Sequence, residues 1–197
     1  MGFSRRHLLR LGTAFCLAGV TAVLPATATQ AAAPPPPLAD SVEQALRLLS
    51  SLGFQHSVDV YAQLQPTIEV QPSSVLTWAG LTQGWPDTPN RSTTIYLRAD
   101  LEGSTPMLAS ILAHELLHVE QFTRQPDIYA NCAQREIPAY QLEADVLQAW
   151  SDAHPTERFG LPAPCLYLMT VAKYAIPESI EQFAVRSSCS PHAHGTA

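Results

Sequence analysis

Three observations predict an α+β fold for this chain. Apolar residues recur at helical spacing just after residue 40. A stretch of β-branched and aromatic residues between 57 and 99 is broken by Pro and Gly. Helical patterns then return from residue 104 onward. No internal repeat and no second linker interrupts this order, so residues 38–197 read as one domain.

Residues 1–33 read as an export signal. The basic start Ser4-Arg5-Arg6-His7-Leu8-Leu9-Arg10 precedes an apolar stretch from Leu11 to Leu24, short of the roughly 20 residues that span a bilayer as a helix. Pro25 breaks that stretch, and Ala26-Thr27-Ala28 offers small residues for cleavage. The pair Arg5-Arg6 resembles a twin-arginine signal, a route that carries folded proteins with a metal already loaded. A general secretory signal is the alternative. Either route predicts a periplasmic or extracellular protein with no membrane span left after processing. Residues 34–37, four prolines, predict a stiff extended spacer.

In the domain itself, Asp40 or Ser41 caps a helix running to about Ser51, with Val42, Ala45, Leu46 and Leu49 on one face and Gly53 ending it. The alternation in Val58-Asp59-Val60-Tyr61, in Thr67 to Val70 and in Thr93 to Arg98 predicts three or four short strands, with a turn-rich loop at residues 84–90. Ser104 or Thr105 caps a second helix, Pro106 suits its first turn, and Met107, Ile111, Leu112, Leu116 and Val119 carry it to Phe122. Further helices are predicted from Glu136 to about Ser151 and between Pro164 and Val185, with a break at Pro177. The sheet would be small, antiparallel or mixed, and packed on the second helix.

The chain has 197 residues and a formal charge of −6. Beyond residue 37, eight Lys and Arg face seventeen Asp and Glu, which argues against a nucleic-acid binder. The acidic balance promotes solubility and suggests basic substrates only weakly.

Within the second helix stands His114-Glu115-Leu116-Leu117-His118. Two histidines four residues apart on a helix differ by about 40° in direction, so both imidazoles can reach one metal ion. Glu115, one residue along, is placed to contact a water on that metal instead of ligating it. This is the HExxH pattern in which two His bind zinc and the Glu is general base.

On this pattern the chain resembles the zincin metallopeptidases, and more narrowly the gluzincins, whose third zinc ligand is a glutamate on a later helix. The resemblance covers about 50 residues, Thr93 to Asp145, and its specific part is the HExxH with a spaced glutamate. The metzincin continuation fails, because Gln121 and Arg124 stand where Gly and His would be. The resemblance implies a zincin-like fold, a zinc cofactor and Glu136 as third ligand, with Glu143 as the alternative seven residues on. Glu136 has Ala139 three residues later, as gluzincin ligands often do, but Tyr140 replaces the Asp that follows at the fourth position. Tyr140 thereby becomes the candidate to accept a hydrogen bond from the first histidine. Glu143 precedes Ala144-Asp145, yet its own fourth neighbour is Leu147.

The resemblance also implies hydrolysis of peptide bonds, with Glu115 moving the proton. Thr93 to Arg98 would be the strand that aligns the substrate backbone by strand addition. Tyr167, Tyr174, His154 and Arg186 are candidate oxyanion donors. Two other readings stay open: a non-catalytic envelope binding or interaction module that keeps a zincin fold, and zinc hydrolysis of another amide such as a cell-wall peptide.

Cys132, Cys165 and Cys189 remain after processing, and an oxidising compartment predicts one disulfide and one spare thiol. Cys132 with Cys165 is the favoured pair, since it would staple the loop before the Glu136 helix to the last helix. Gln121 reads as a buried hydrogen-bonding group. Trp78, Trp85 and Trp150 read as core or cleft wall, and His192 and His194 as part of a frayed tail.

Replacing Arg5 and Arg6 by lysine is expected to leave precursor in the cytoplasm, measured by fractionation and immunoblotting. Undiminished export of that variant would assign the segment to the general secretory route.

Overall fold

The structure, a computed structural model, describes residues 38–76, 79–83, 93–129, 131–157, 168 and 177–189. The export signal, the proline spacer, the loop at 84–90, Trp78, Trp85, Cys165, Tyr167, Tyr174, His192 and His194 lie outside them.

Helix α1 (Leu38–Ser51) buries Val42, Ala45 and Leu49, the face its spacing predicts. Gly53 ends it at φ 91, a left-handed position that glycine adopts at no steric cost. The chain reverses there through the Phe54 N–H, which donates to the Leu49 carbonyl at 2.9 Å.

The next segment corrects an expectation. Val58-Asp59-Val60-Tyr61 is not a strand but the middle of α2 (Gln55–Leu64). Four residues of alternation satisfy a strand and a helix equally well. The longer frame decides: Ser57 and Val60 are buried, and Tyr61 and Leu64 pack beside them at helical spacing. Gln55 also reaches one turn on, its Nε2 donating to Asp59 Oδ1 at 2.9 Å.

Three strands follow, β1 (Thr67–Gln71), β2 (Gly80–Gln83) and β3 (Thr94–Arg98), in the spatial order β1-β3-β2. β1 runs parallel to β3, with Ile68 opposite Ile95, and β2 runs antiparallel to it, with Thr82 opposite Ile95. The sheet is therefore mixed. β3 is its centre, and its buried Ile95 and Leu97 enter the main core with α1 and α3. A 3-10 turn (Ala99–Gly103) leads into α3 (Thr105–Arg124), which has Pro106 in its first turn and is buried along most of its length from Leu108 to Gln121.

After the short α4 (Pro126–Tyr129) comes α5 (Cys132–Ala153), which starts four residues earlier than the sequence reading placed it. Asn131 caps it, its side chain accepting from the Gln134 N–H at 3.2 Å. Pro138, inside the helix, therefore sits in its second turn, where it leaves the Gln134 carbonyl without its usual i+4 donor. A second cluster joins Ala144, Leu147 and Trp150 of α5 to Leu168, which makes Trp150 a core residue. The last described elements are α6 (Pro177–Ala184), opening at the predicted break, and a π-helical turn (Val185–Cys189). The architecture is α+β, mostly helical around a small mixed sheet. Among the described residues no helix is long and apolar enough to cross a membrane.

Leu49 is fully buried where α1 meets the core. Leu49→Ala is expected to lower stability by about 2–5 kcal/mol in chemical denaturation. A loss under about 1 kcal/mol would mean that α1 is not part of the cooperative core.

Candidate metal centre

Helices α3 and α5 are each other's main packing partners, and they run in opposite senses. Along α3, His114, His118 and Gln121 meet in turn Glu143, Glu136 and the carbonyl of Arg135 on α5. Two spacings make this possible. Histidines four apart fall on one face of α3, and glutamates seven apart fall on one face of α5. All of these side chains but Arg135 are buried.

Three atoms converge on one point. His114 Nε2 and His118 Nε2 are 3.1 Å apart, and each lies close to Glu136 Oε2, at 3.6 and 3.5 Å respectively. A point equidistant from all three lies about 2.0 Å from each, the bond length zinc takes to nitrogen and oxygen. Tetrahedral zinc at such lengths sets ligand atoms about 3.3–3.4 Å apart. A facial octahedral triad with similar bonds would bring them to about 3.0 Å. The sides of this triangle run from 3.1 to 3.6 Å, a span that takes in the tetrahedral value and comes close to the octahedral one, so the spacing suits a small divalent cation of either geometry.

The outer hydrogen bonds turn the right nitrogens inward. His114 Nδ1 donates to Glu143 Oε2 at 3.1 Å, and His118 Nδ1 donates to Gln121 Oε1 at 2.9 Å. Each proton held at Nδ1 leaves Nε2 to offer its lone pair to a cation. Gln121 is anchored in turn by its Nε2, which donates to the Arg135 carbonyl at 3.1 Å. Arg135 Nε donates to Glu136 Oε1 at 3.0 Å, so the glutamate's second oxygen is held while Oε2 faces the histidines.

Charge favours a cation here as well. Burial alone would push the His114 imidazolium down, but the neighbouring Glu136 and Glu143 carboxylates outweigh it and hold its pKa up at about 10 in the absence of a metal. Burial likewise pushes Glu136 up, and the His114 and His118 imidazoles beside it overcome that, leaving the carboxyl well below the usual range. These are groups arranged to share positive charge.

The triad opens on a cleft of about 290 Å³. One wall is β2, with Ala79 before it; α3 contributes Ile111 and Glu115, α5 contributes Arg135 and Tyr140, and Phe183 and Ser188 close the far side. Glu115 is buried against β2. Thr82 Oγ1 donates to its Oε2 at 2.7 Å. A Cβ on Gly80 would stand 2.6 Å from Glu115 Oε1 and 2.9 Å from Ile111 Cγ2, so only glycine lets the strand lie this close to the glutamate.

Of the residues singled out from sequence, His114, His118 and Glu136 form the triad and Glu115 lines the same cleft. Glu143 is not a third ligand in this geometry; it sits behind His114. That placement overturns the part given to Tyr140. The Tyr140 hydroxyl pairs with Ser188 Oγ at 2.9 Å, and only the ring meets His114, edge-on at 4.6 Å. The reason is helical phase: Glu143, two turns after Glu136, reaches the back of the His114 ring, whereas Tyr140 is rotated toward the C-terminal segment. The disulfide is also corrected. Cys132 bonds Cys189, not Cys165.

Gln121 is the buried hydrogen-bonding group it was read to be. His154 stacks on Trp150 and Arg186 is exposed, and neither lines the cleft. The proposed aligning strand, Thr93 to Arg98, is flanked by β1 and β2. β2, with Gly80 and Thr82, forms the sheet edge beside α3 among the described residues, and sequence reasoning missed it. The isolated glycine in Ala79-Gly80-Leu81-Thr82 was the available signal of a close backbone approach.

No family model, curated protein or solved structure matches the chain.

Substitution to alanine at His114, His118 or Glu136 is expected to abolish stoichiometric zinc binding, measured by metal analysis after dialysis. Glu143→Ala is expected to weaken zinc roughly 10–100-fold in a chelator competition, because it removes the group that orients His114. Complete metal loss on Glu143→Ala with full retention on Glu136→Ala would move the third ligand by two turns.

Proposed function

We propose that the chain is an exported zinc-dependent metallopeptidase of gluzincin-like design. The observation that carries this reading is the buried triangle of His114 Nε2, His118 Nε2 and Glu136 Oε2, with Glu115 lining the same cleft. The donor set suits zinc: two imidazoles, one carboxylate and a cleft that leaves the fourth direction open. Held by His114, His118 and Glu136, zinc would supply Lewis acidity toward a carbonyl oxygen and would lower the pKa of a water to about 7.

The chain's own residues do the rest. Glu115 takes a proton from the attacking water and returns it to the leaving amine. Thr82 holds Oε2 of that carboxylate and so fixes its position beside β2. β2, at the sheet edge among the described residues, offers backbone groups with which an extended peptide can pair across the cleft. Its Gly80 keeps that edge close to the base.

The intact Glu115 weighs against a non-catalytic binding module, because a module that needs only the fold has no chemical use for a buried carboxylate beside a metal triad.

Glu115→Gln is expected to keep zinc and lose hydrolysis of a mixed-peptide pool by a factor of roughly 10² or more. Gly80→Ala is expected to lower the rate with zinc content unchanged, because the new methyl displaces Glu115. Cleavage by Glu115→Gln at the wild-type rate would overturn the mechanism. Zinc binding by the wild-type protein with no hydrolysis of any peptide would favour the binding module.

A further inference from the structure

The Cys132–Cys189 disulfide joins two walls of the cleft. Cys132 is the first residue of α5 and stands one helical turn before Glu136, while Cys189 closes the π-helical turn. Both sulfurs lie a step from the site. At one end, the Arg135 guanidinium reaches Cys132 Sγ at 3.6 Å and, through Nε, Glu136 Oε1 at 3.0 Å. At the other, Ser188 precedes Cys189 and pairs with the Tyr140 hydroxyl, whose ring lies edge-on to both His114 and Phe183. Phe183 and Ser188 themselves line the cleft.

What holds this wall is uneven. α6 is anchored by the buried Ile180 and Ala184. The Val185–Cys189 turn has no buried residue, and Val185 is 41% exposed. Segments with so little burial open at low free-energy cost unless something else ties them. Here the ties are the hydroxyl pair and the disulfide.

We propose that the Cys132–Cys189 disulfide is a redox latch on the cleft. Oxidised, it seats the Pro177–Cys189 segment as a wall and steadies the turn of α5 that carries Arg135 and Glu136. A dithiol reductant passes two electrons and two protons to it, leaving two cysteine thiols and closing into its own disulfide. The wall is then released and the third ligand loosens. The site is complete in an oxidising compartment and slack in a reducing one, which gives export a chemical consequence for a peptidase. That consequence and the loosening of the third ligand rest on the function proposed above; the release of the wall does not.

Amide hydrogen exchange of the metal-free, purified protein with and without dithiothreitol tests it. Reduction is expected to speed exchange at least roughly tenfold in peptides covering 177–189 and 132–140, with 105–122 unchanged. The double variant Cys132→Ser/Cys189→Ser is expected to hold zinc roughly tenfold more weakly than wild type in a chelator competition, with an unchanged far-ultraviolet circular dichroism spectrum. Faster exchange throughout 38–157, or a double variant that does not fold, would make the disulfide a general staple and overturn the latch. Unchanged exchange in 177–189 would overturn it too. A wild-type protein that neither binds zinc nor cleaves peptides would remove the proposed function, and the exchange comparison would still decide the latch.

Discussion

Carboxylates buried together repel one another and lose hydration, and such a cluster survives only if positive charge is shared among its members. Glu115, Glu136 and Glu143 are all buried within the space between α3, α5 and β2. Arg135 supplies one guanidinium, and the two imidazoles supply nitrogen lone pairs or a proton. The proposed dication and one arginine would together balance three carboxylates. The pairing of His114 with Glu143 and of His118 with Glu136 matches the opposite sense of the two helices and their offset along one another.

The rest of the domain supports that meeting. α1 and α2 pack on the face of α3 away from the cleft, and Ile95 and Leu97 of β3 fill the core beside them. With α3 buried along most of its length, the histidines have little freedom to rotate, and the outer bonds through Glu143 and Gln121 remove what is left. Positioning of this kind determines whether three ligand atoms hold a metal or merely lie near one another.

How much could be read from the residues follows the same physical lines. HExxH and the seven-residue spacing of the glutamates were legible because helical periodicity turns sequence distance directly into direction. The choice between Glu136 and Glu143 was narrowed but their roles were not, because the offset between two helices is a tertiary quantity. Val58 to Tyr61 misled because a four-residue alternation cannot outvote the 3.6-residue frame around it. The disulfide was missed for a related reason: Cys165 is nearer to Cys132 in sequence, while Cys189 is brought to it by the packing of α6 on α5. Thr82 was invisible as a partner for Glu115, since nothing in a four-residue strand announces which helix it will touch.

The contact between β2 and Glu115 ties two different periodicities together. Side chains alternate along a strand every two residues, whereas α3 repeats every 3.6, so the strand and the helix are in phase only locally. At Gly80 and Thr82 they coincide: one position offers no side chain and the other offers a hydroxyl, both toward the same carboxylate. Sliding β2 by one residue would turn Leu81, now half-exposed, onto Glu115, and replace a hydrogen-bond donor with a hydrocarbon. Strand register is thus a chemical variable in this molecule, and an insertion or deletion within Ala79–Gln83 would take the Thr82 hydroxyl away from the glutamate as it shifted the pairing with β3.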